Sequence, residues 1–220
     1  KKALKEEEEK MSENQPQAPL TADEILAAPD GYNQFVQGLF NRTGDLSKDF
    51  THAVLGILTE CHEYRNAIDK VNAIEEAGDQ LFFVTALKIV VGEHLGEAAF
   101  LEMSKRAAEQ LGATLQTWEG KPVSDILLDQ SVYAMDVCKR WVGYGKEPTQ
   151  DQLDTLVCRL LAVCGVALES GQFWPLDFDQ VQKVTVEKLL ERYNGTRFSA
   201  DRAVNRDLAN ERATLERASA

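Results

Sequence analysis

The sequence is short of the residues that usually advertise a function. It has four cysteines and three histidines in 220 residues, and no two cysteines fall in a CxxC spacing. Cys61, Cys138, Cys158 and Cys164 make no metal-ligand pattern with His52, His62 and His94, so they read as reduced thiols in a helical interior. No apolar run approaches the ~18 residues of a membrane span. Lys88 interrupts the most apolar stretch, Leu81 to Val91. No signal-peptide pattern opens the chain, and a cytoplasmic protein without membrane contact is expected. Positive charge is scarce too: 24 Lys+Arg against 36 Asp+Glu leave a net charge of −12. That balance argues against nucleic acid as a partner. It is compatible with a nucleotide enzyme, because carboxylates hold metal ions and metal ions hold phosphates. There is no GxxxxGK[ST] loop, GxSxG elbow, HExxH helix or Rossmann glycine triplet with its acidic partner. No segment alternates with a two-residue period between turn signals, which removes strands.

What remains is helical. Residues 1–19, KKALKEEEEK followed by MSENQPQAP, are expected to form a disordered, solvated tail, with Met11 a candidate natural start. Residues 20–220 are long enough for one domain with a real core. Thr21-Ala-Asp-Glu24 is a capping box opening a short helix. Apolar residues at 32, 35, 36, 39 and 40 make a helical stripe. Ser47 is expected to cap the next helix, which runs to about Lys70 with Phe50, Val54, Ile57, Leu58, Cys61, Tyr64 and Ile68 on one face. Asn72 is expected to cap the following one, to about Gly92. Further helical patterns cover roughly 97–112, 123–142, 151–170, 178–193 and 200–217. The class is all-α.

The informative stretch is Glu60-Cys-His-Glu63, twelve residues, then Glu76-Ala-Gly-Asp79. Each pair is spaced i, i+3, so its two carboxylates share a helix face. The helices are joined by a short turn, placed near Val71, which favours antiparallel neighbours. With a rise of about 1.5 Å per residue, Glu63 and Asp79 fall at one height. Four carboxylates then converge, which is unfavourable unless a cation sits among them. A hard divalent ion with oxygen preference, Mg²⁺ with Mn²⁺ as a substitute, relieves the conflict.

On these residues the chain resembles the MazG-like nucleoside triphosphate pyrophosphohydrolases, all-α enzymes marked by ExxE, a spacer, then ExxD. Tyr32-Asn-Gln-Phe-Val36 is similar to the family's opening helix. His52-Ala-Val-Leu-Gly56 resembles the lead into its first acidic pair, and Glu75-Glu76-Ala-Gly78-Asp79 its Glu-Glu-Leu-Gly-Asp. Lys188-Leu-Leu-Glu-Arg192-Tyr193 with Phe198 resembles its closing Lys-Leu-x-x-Arg-Tyr-Pro-x-Gly-Phe. Thr185 stands where that family usually has Asn, and Asn194 where it has Pro. The region 97–176 has no counterpart in a minimal member and reads as a helical insertion.

The resemblance implies hydrolysis of a nucleoside triphosphate, most naturally a dNTP, to the monophosphate and pyrophosphate. Glu60, Glu63, Glu76 and Asp79 would hold the metal, and one of them would take the proton from water. Lys188 and Arg192 would hold phosphates, with Lys70 as a further cation. Gln34 and Tyr32 would touch base or sugar. A dimeric dUTPase-like enzyme and a helical nucleotide- or protein-binding module without turnover are the alternatives. Homodimers or higher homo-oligomers are expected for chains that complete a bundle between subunits. Here residues 126–164, with Asp151-Gln-Leu-Asp154, echo the acidic hairpin and read as a degenerate internal repeat that substitutes for a partner.

Overall fold

The computed structural model describes residues 20–219; the expected tail at 1–19 and the candidate start at Met11 lie outside them. Among these described residues ten helices follow in chain order: α1 (Ala22–Ala27), α2 (Gly31–Leu39), α3 (Leu46–Arg65), α4 (Lys70–Leu95), α5 (Glu97–Trp118), α6 (Val123–Tyr144), α7 (Gln150–Glu169), α8 (Phe178–Tyr193), α9 (Ala200–Val204) and α10 (Leu208–Ser219). No strand occurs among the described residues. The all-α expectation holds, and the side-chain spacing explains why: each long helix buries one stripe at three- and four-residue intervals.

Helix starts are decided by short acceptors. Thr21 and Glu24 form the capping box of α1. Two cap assignments need correction. Asp45, not Ser47, caps α3, its carboxylate accepting from the Ser47 and Lys48 amides. Asp69, not Asn72, caps α4, accepting from the Asn72 amide. Helix α3 therefore ends at Arg65 rather than near Lys70, and the turn sits at 66–69. Ile68 falls in that turn, 86% exposed, instead of on the apolar face.

α3 and α4 pack as an antiparallel hairpin. Gly56 permits it: a Cβ there would lie 2.3 Å from the Phe83 ring. The main core runs from α2 through this hairpin into α5, α6 and α7, including Val36, Ile57, Val90, Met103, Trp141 and Leu160. The stretch expected as an insertion thus shares the hairpin's core. On the other side α8 packs against α4. Gly78 is the point of closest approach, where a Cβ would meet Thr185 Oγ1 at 1.9 Å. Thr185 turns its hydroxyl back to the Val181 carbonyl at 2.7 Å. No Asn-sized side chain would fit between these backbones without displacing them.

The last expected helix, 200–217, is two. Asn205-Arg206-Asp207 breaks it, and Asp207 restarts the chain by accepting from the Asn210 amide. α10 returns to the base of the acidic hairpin. Arg212 bonds Asp69 at 2.9 Å, and Leu215 is buried with Tyr64, Ala73 and Val181.

Candidate metal centre

Glu60, Glu63 and Glu76 come together at one level of the α3–α4 hairpin. Each offers a carboxylate oxygen, and these oxygens lie within 4.8 Å of one another. It is the one such group of potential metal ligands among the described residues. Three of the four expected acids therefore converge directly. Asp79 lines the same cavity, but both its oxygens accept from Lys188 Nζ at 2.6 Å. Lys188 also reaches Glu75 at 3.4 Å.

Local sequence builds this cluster. The i, i+3 spacing puts Glu60 and Glu63 on one face of α3, while Cys61 between them is buried and accepts from the Gln80 amide at 2.9 Å. On α4 Glu76 is only 9% exposed, and Asn72 holds it with a 2.7 Å hydrogen bond. Asn72, expected as a cap, serves instead to orient a carboxylate one turn on.

The electrostatics show how strongly the acids oppose one another. Burial, then the charges of Asp79, Glu63 and Glu76, push the Glu60 carboxyl up to about 9. Burial, then Asp79, Glu75 and Glu63, push Glu76 up to about 7. Lys188 works against both shifts without cancelling them. Such a cluster holds protons near neutral pH until a cation replaces them. The all-oxygen donor set suits a hard divalent ion. The Tyr32 hydroxyl is buried with no hydrogen-bond partner among the described residues. Burial, then the nearby charge of Asp79, raise its pKa.

The carboxylates form one wall of a cavity of about 600 Å³. Arg192 and Arg206 face it from α8 and the α9–α10 break, and both are bonded to Glu211. Phe40, His52, Phe82, Phe83, Tyr193 and Phe198 supply apolar and aromatic lining. His52 stacks on Phe40 with ring centres 4.7 Å apart. The loop carrying Phe198 is tied to α2 by a 3.0 Å bond from the Phe198 amide to the Gly38 carbonyl. The cavity thus offers carboxylates, guanidiniums and flat rings to one ligand.

Several expected site residues lie elsewhere. Lys188 is a fully buried counter-charge held by Asp79 and Glu75, not a free phosphate ligand. Gln34 sits on the outer face of α2, beside a separate groove with Leu20 and Glu24, because Phe35, Val36 and Leu39 take the inner face. Lys70 is exposed in the first turn of α4, about 13 Å along the axis from Asp79, and does not line the cavity. Tyr32 stands behind the acids rather than in the lining. The second acidic pair differs as well. Asp154 is bonded by Arg106 at 2.6 and 3.2 Å and by Gln150 at 2.7 Å, while Asp151 is exposed. Glu211 is not foreseen as a site residue, and the sequence leaves Asn205-Arg206-Asp207 open between a charged helix start and a segment folding back toward the site; Arg206 lines the cavity. The signal was present in Asp207, a strong cap residue in the middle of an apparent helix.

No helix among the described residues is long and apolar enough to cross a membrane. No family model matches the chain, and no curated protein or solved structure matches it either. The functional reading stands on the side chains.

Proposed function

We propose that this protein is a metal-dependent nucleoside triphosphate pyrophosphohydrolase of MazG-like type, acting on dNTPs. The observation that carries the reading is the presence, in the lining of one cavity, of converging carboxylates, two guanidiniums and several aromatic rings. Few ligands ask for all three; a metal-chelated nucleoside polyphosphate does.

Glu60, Glu63 and Glu76 would hold Mg²⁺ or Mn²⁺, with Asp79 beside them. Bound there, the ion supplies Lewis-acid polarisation of phosphate oxygens and lowers the pKa of an attacking water. The chain's own residues do the rest. Arg192 faces the negative charge that accumulates on departing pyrophosphate. One of the four carboxylates, freed of its proton when the ion binds, takes the proton from water. Phe40, Phe82, Phe83 and Phe198 screen the centre from bulk water and offer faces to a base. Water attack at the α-phosphorus gives the monophosphate and pyrophosphate.

The test is pyrophosphate release from a panel of NTPs and dNTPs, dUTP included, with Mg²⁺ or Mn²⁺. Glu60→Gln and Glu76→Gln should abolish release and metal binding while the fold persists. Wild-type turnover in either variant would remove the assignment. Metal and nucleotide binding without turnover would leave a binding module, and preference for dUTP would make the enzyme dUTPase-like.

A further inference from the structure

Glu211 is a carboxylate in the wrong company for a surface helix. It is 4% exposed, and it receives two guanidiniums at once. Arg192 Nε and Nη2 donate to it at 3.0 and 2.7 Å, and Arg206 Nη2 donates at 2.6 Å. Each guanidinium has five N–H donors. Arg192 spends two on Glu211, and Arg206 presents the same two nitrogens, so three donors on each are left over. Both arginines line the same cavity as the acids, and the charge of Asp79 is felt at Arg192. Glu211 itself does not line it. It sits behind the guanidiniums and cannot rise to meet a ligand without abandoning both. Its helix is also pinned, by Arg212 on Asp69 and by the burial of Leu215.

We infer that Arg192 and Arg206 form a paired anion-binding wall for the two terminal phosphates of a polyphosphate. Glu211 is the positioning residue that holds the two like charges side by side. This rests on the proposed function only for the identity of the ligand. Two guanidiniums would repel without a shared anion. The bonds to Glu211 leave the remaining donors fixed in direction, the arrangement in which Arg binds phosphate oxygens best. The same bonds draw the Glu211 carboxyl down to about 2 against the effect of its burial, so the bridge persists at every working pH. Arg206 lies in the α9–α10 break, where no helical neighbour dictates its direction. The break is what turns it toward the cavity.

The experiment titrates the 220-residue chain with Mn²⁺, and then the Mn²⁺-loaded chain with inorganic pyrophosphate and, separately, with a nucleoside monophosphate. Arg206→Gln should weaken pyrophosphate binding by about 10- to 100-fold. Mn²⁺ and monophosphate affinity should stay near wild type, which a merely unfolded or loosened site would not give. Arg206→Lys keeps the charge and loses the fork, so it should fall between. Glu211→Gln should weaken pyrophosphate without changing Mn²⁺ affinity. Wild-type pyrophosphate affinity in Arg206→Gln would overturn the wall. Tighter pyrophosphate binding in Glu211→Gln would overturn the positioning role, because Glu211 would then be a competitor of the ligand. If the wild-type chain binds no Mn²⁺, the pyrophosphohydrolase reading falls. The wall is then judged by metal-free tripolyphosphate, whose binding must still depend on Arg206.

Discussion

Two helical hairpins carry a buried acid one turn from a second acid, and they treat it in opposite ways. In α6–α7, Asp154 is matched by the Arg106 guanidinium and the Gln150 amide, and its carboxyl is held below the ordinary range despite burial. In α3–α4, Glu60 and Glu76 face other acids, and their carboxyls are driven up. Both are i, i+3 acidic pairs on apolar helices. What separates them is the neighbouring helix. α5 brings an arginine to Asp154, while α8 brings one lysine to four or five carboxylates. A carboxylate with its own cation serves the fold, and a set of carboxylates short of cations is arranged for something that arrives later.

The largest effect should come from removing the fully buried ammonium of Lys188. Lys188→Met leaves Asp79 and Glu75 without their partner, and breaking a buried pair costs about 3–5 kcal/mol. We expect a steep drop in the melting temperature of the metal-free protein, partly restored by Mn²⁺. No drop would mean that α8 does not hold the acidic hairpin electrostatically.

Next, the same chemical change should have opposite signs in the two hairpins. Asp154→Asn removes the partner of Arg106 and should lower the melting temperature by several degrees. Glu60→Gln removes a carboxyl that must take up a proton for the chain to fold, and should raise it in metal-free protein at pH 8, while abolishing Mn²⁺ binding. Equal signs in thermal melts would erase the distinction.

The pH dependence sharpens it further. From pH 4.5 to about 9 for Glu60, and to about 7 for Glu76, the folded chain keeps protons that the unfolded chain releases, so stability is lost as pH rises through these windows. Glu211 acts in the opposite sense: its carboxyl lies at about 2, so its contribution is full above 4.5 and is lost as pH falls toward 2. Metal-free protein should therefore melt highest near about pH 5. Saturating Mn²⁺ should flatten or reverse the alkaline side, because binding requires deprotonated ligands. A metal-free melting temperature that keeps rising to pH 9 would contradict the raised carboxyls.

The smallest effect is expected at Asp151→Asn, within about 0.5 kcal/mol. Asp151 is exposed. A large loss of activity there would give the second hairpin a role that its geometry does not show.

The fold class was legible because helical periodicity survives in every long segment. The acidic cluster was legible because i, i+3 spacing and a short turn bring carboxylates together whatever lies around them. Its level was misread because Asp69 and Asn72 are both cap residues, three apart. Only the folded chain shows that Asn72 is occupied by Glu76 and that the other oxygen of Asp69 takes Arg212. Lys188 could be picked out as a cation but not as Asp79's partner, 109 residues away, because that contact depends on how closely Gly78 and Thr185 let two helices approach. Arg206 and Glu211 depend on a helix break that reverses the chain, and periodicity does not register a missing turn.

The buried ammonium of Lys188 bears on the order in which this protein is assembled. With a resident positive charge already seated on Asp79, the acidic hairpin closes around its own counter-ion as the chain folds. Folding need not wait for a divalent ion, so under the proposed function an ion arriving later would meet a finished site rather than an unfolded chain.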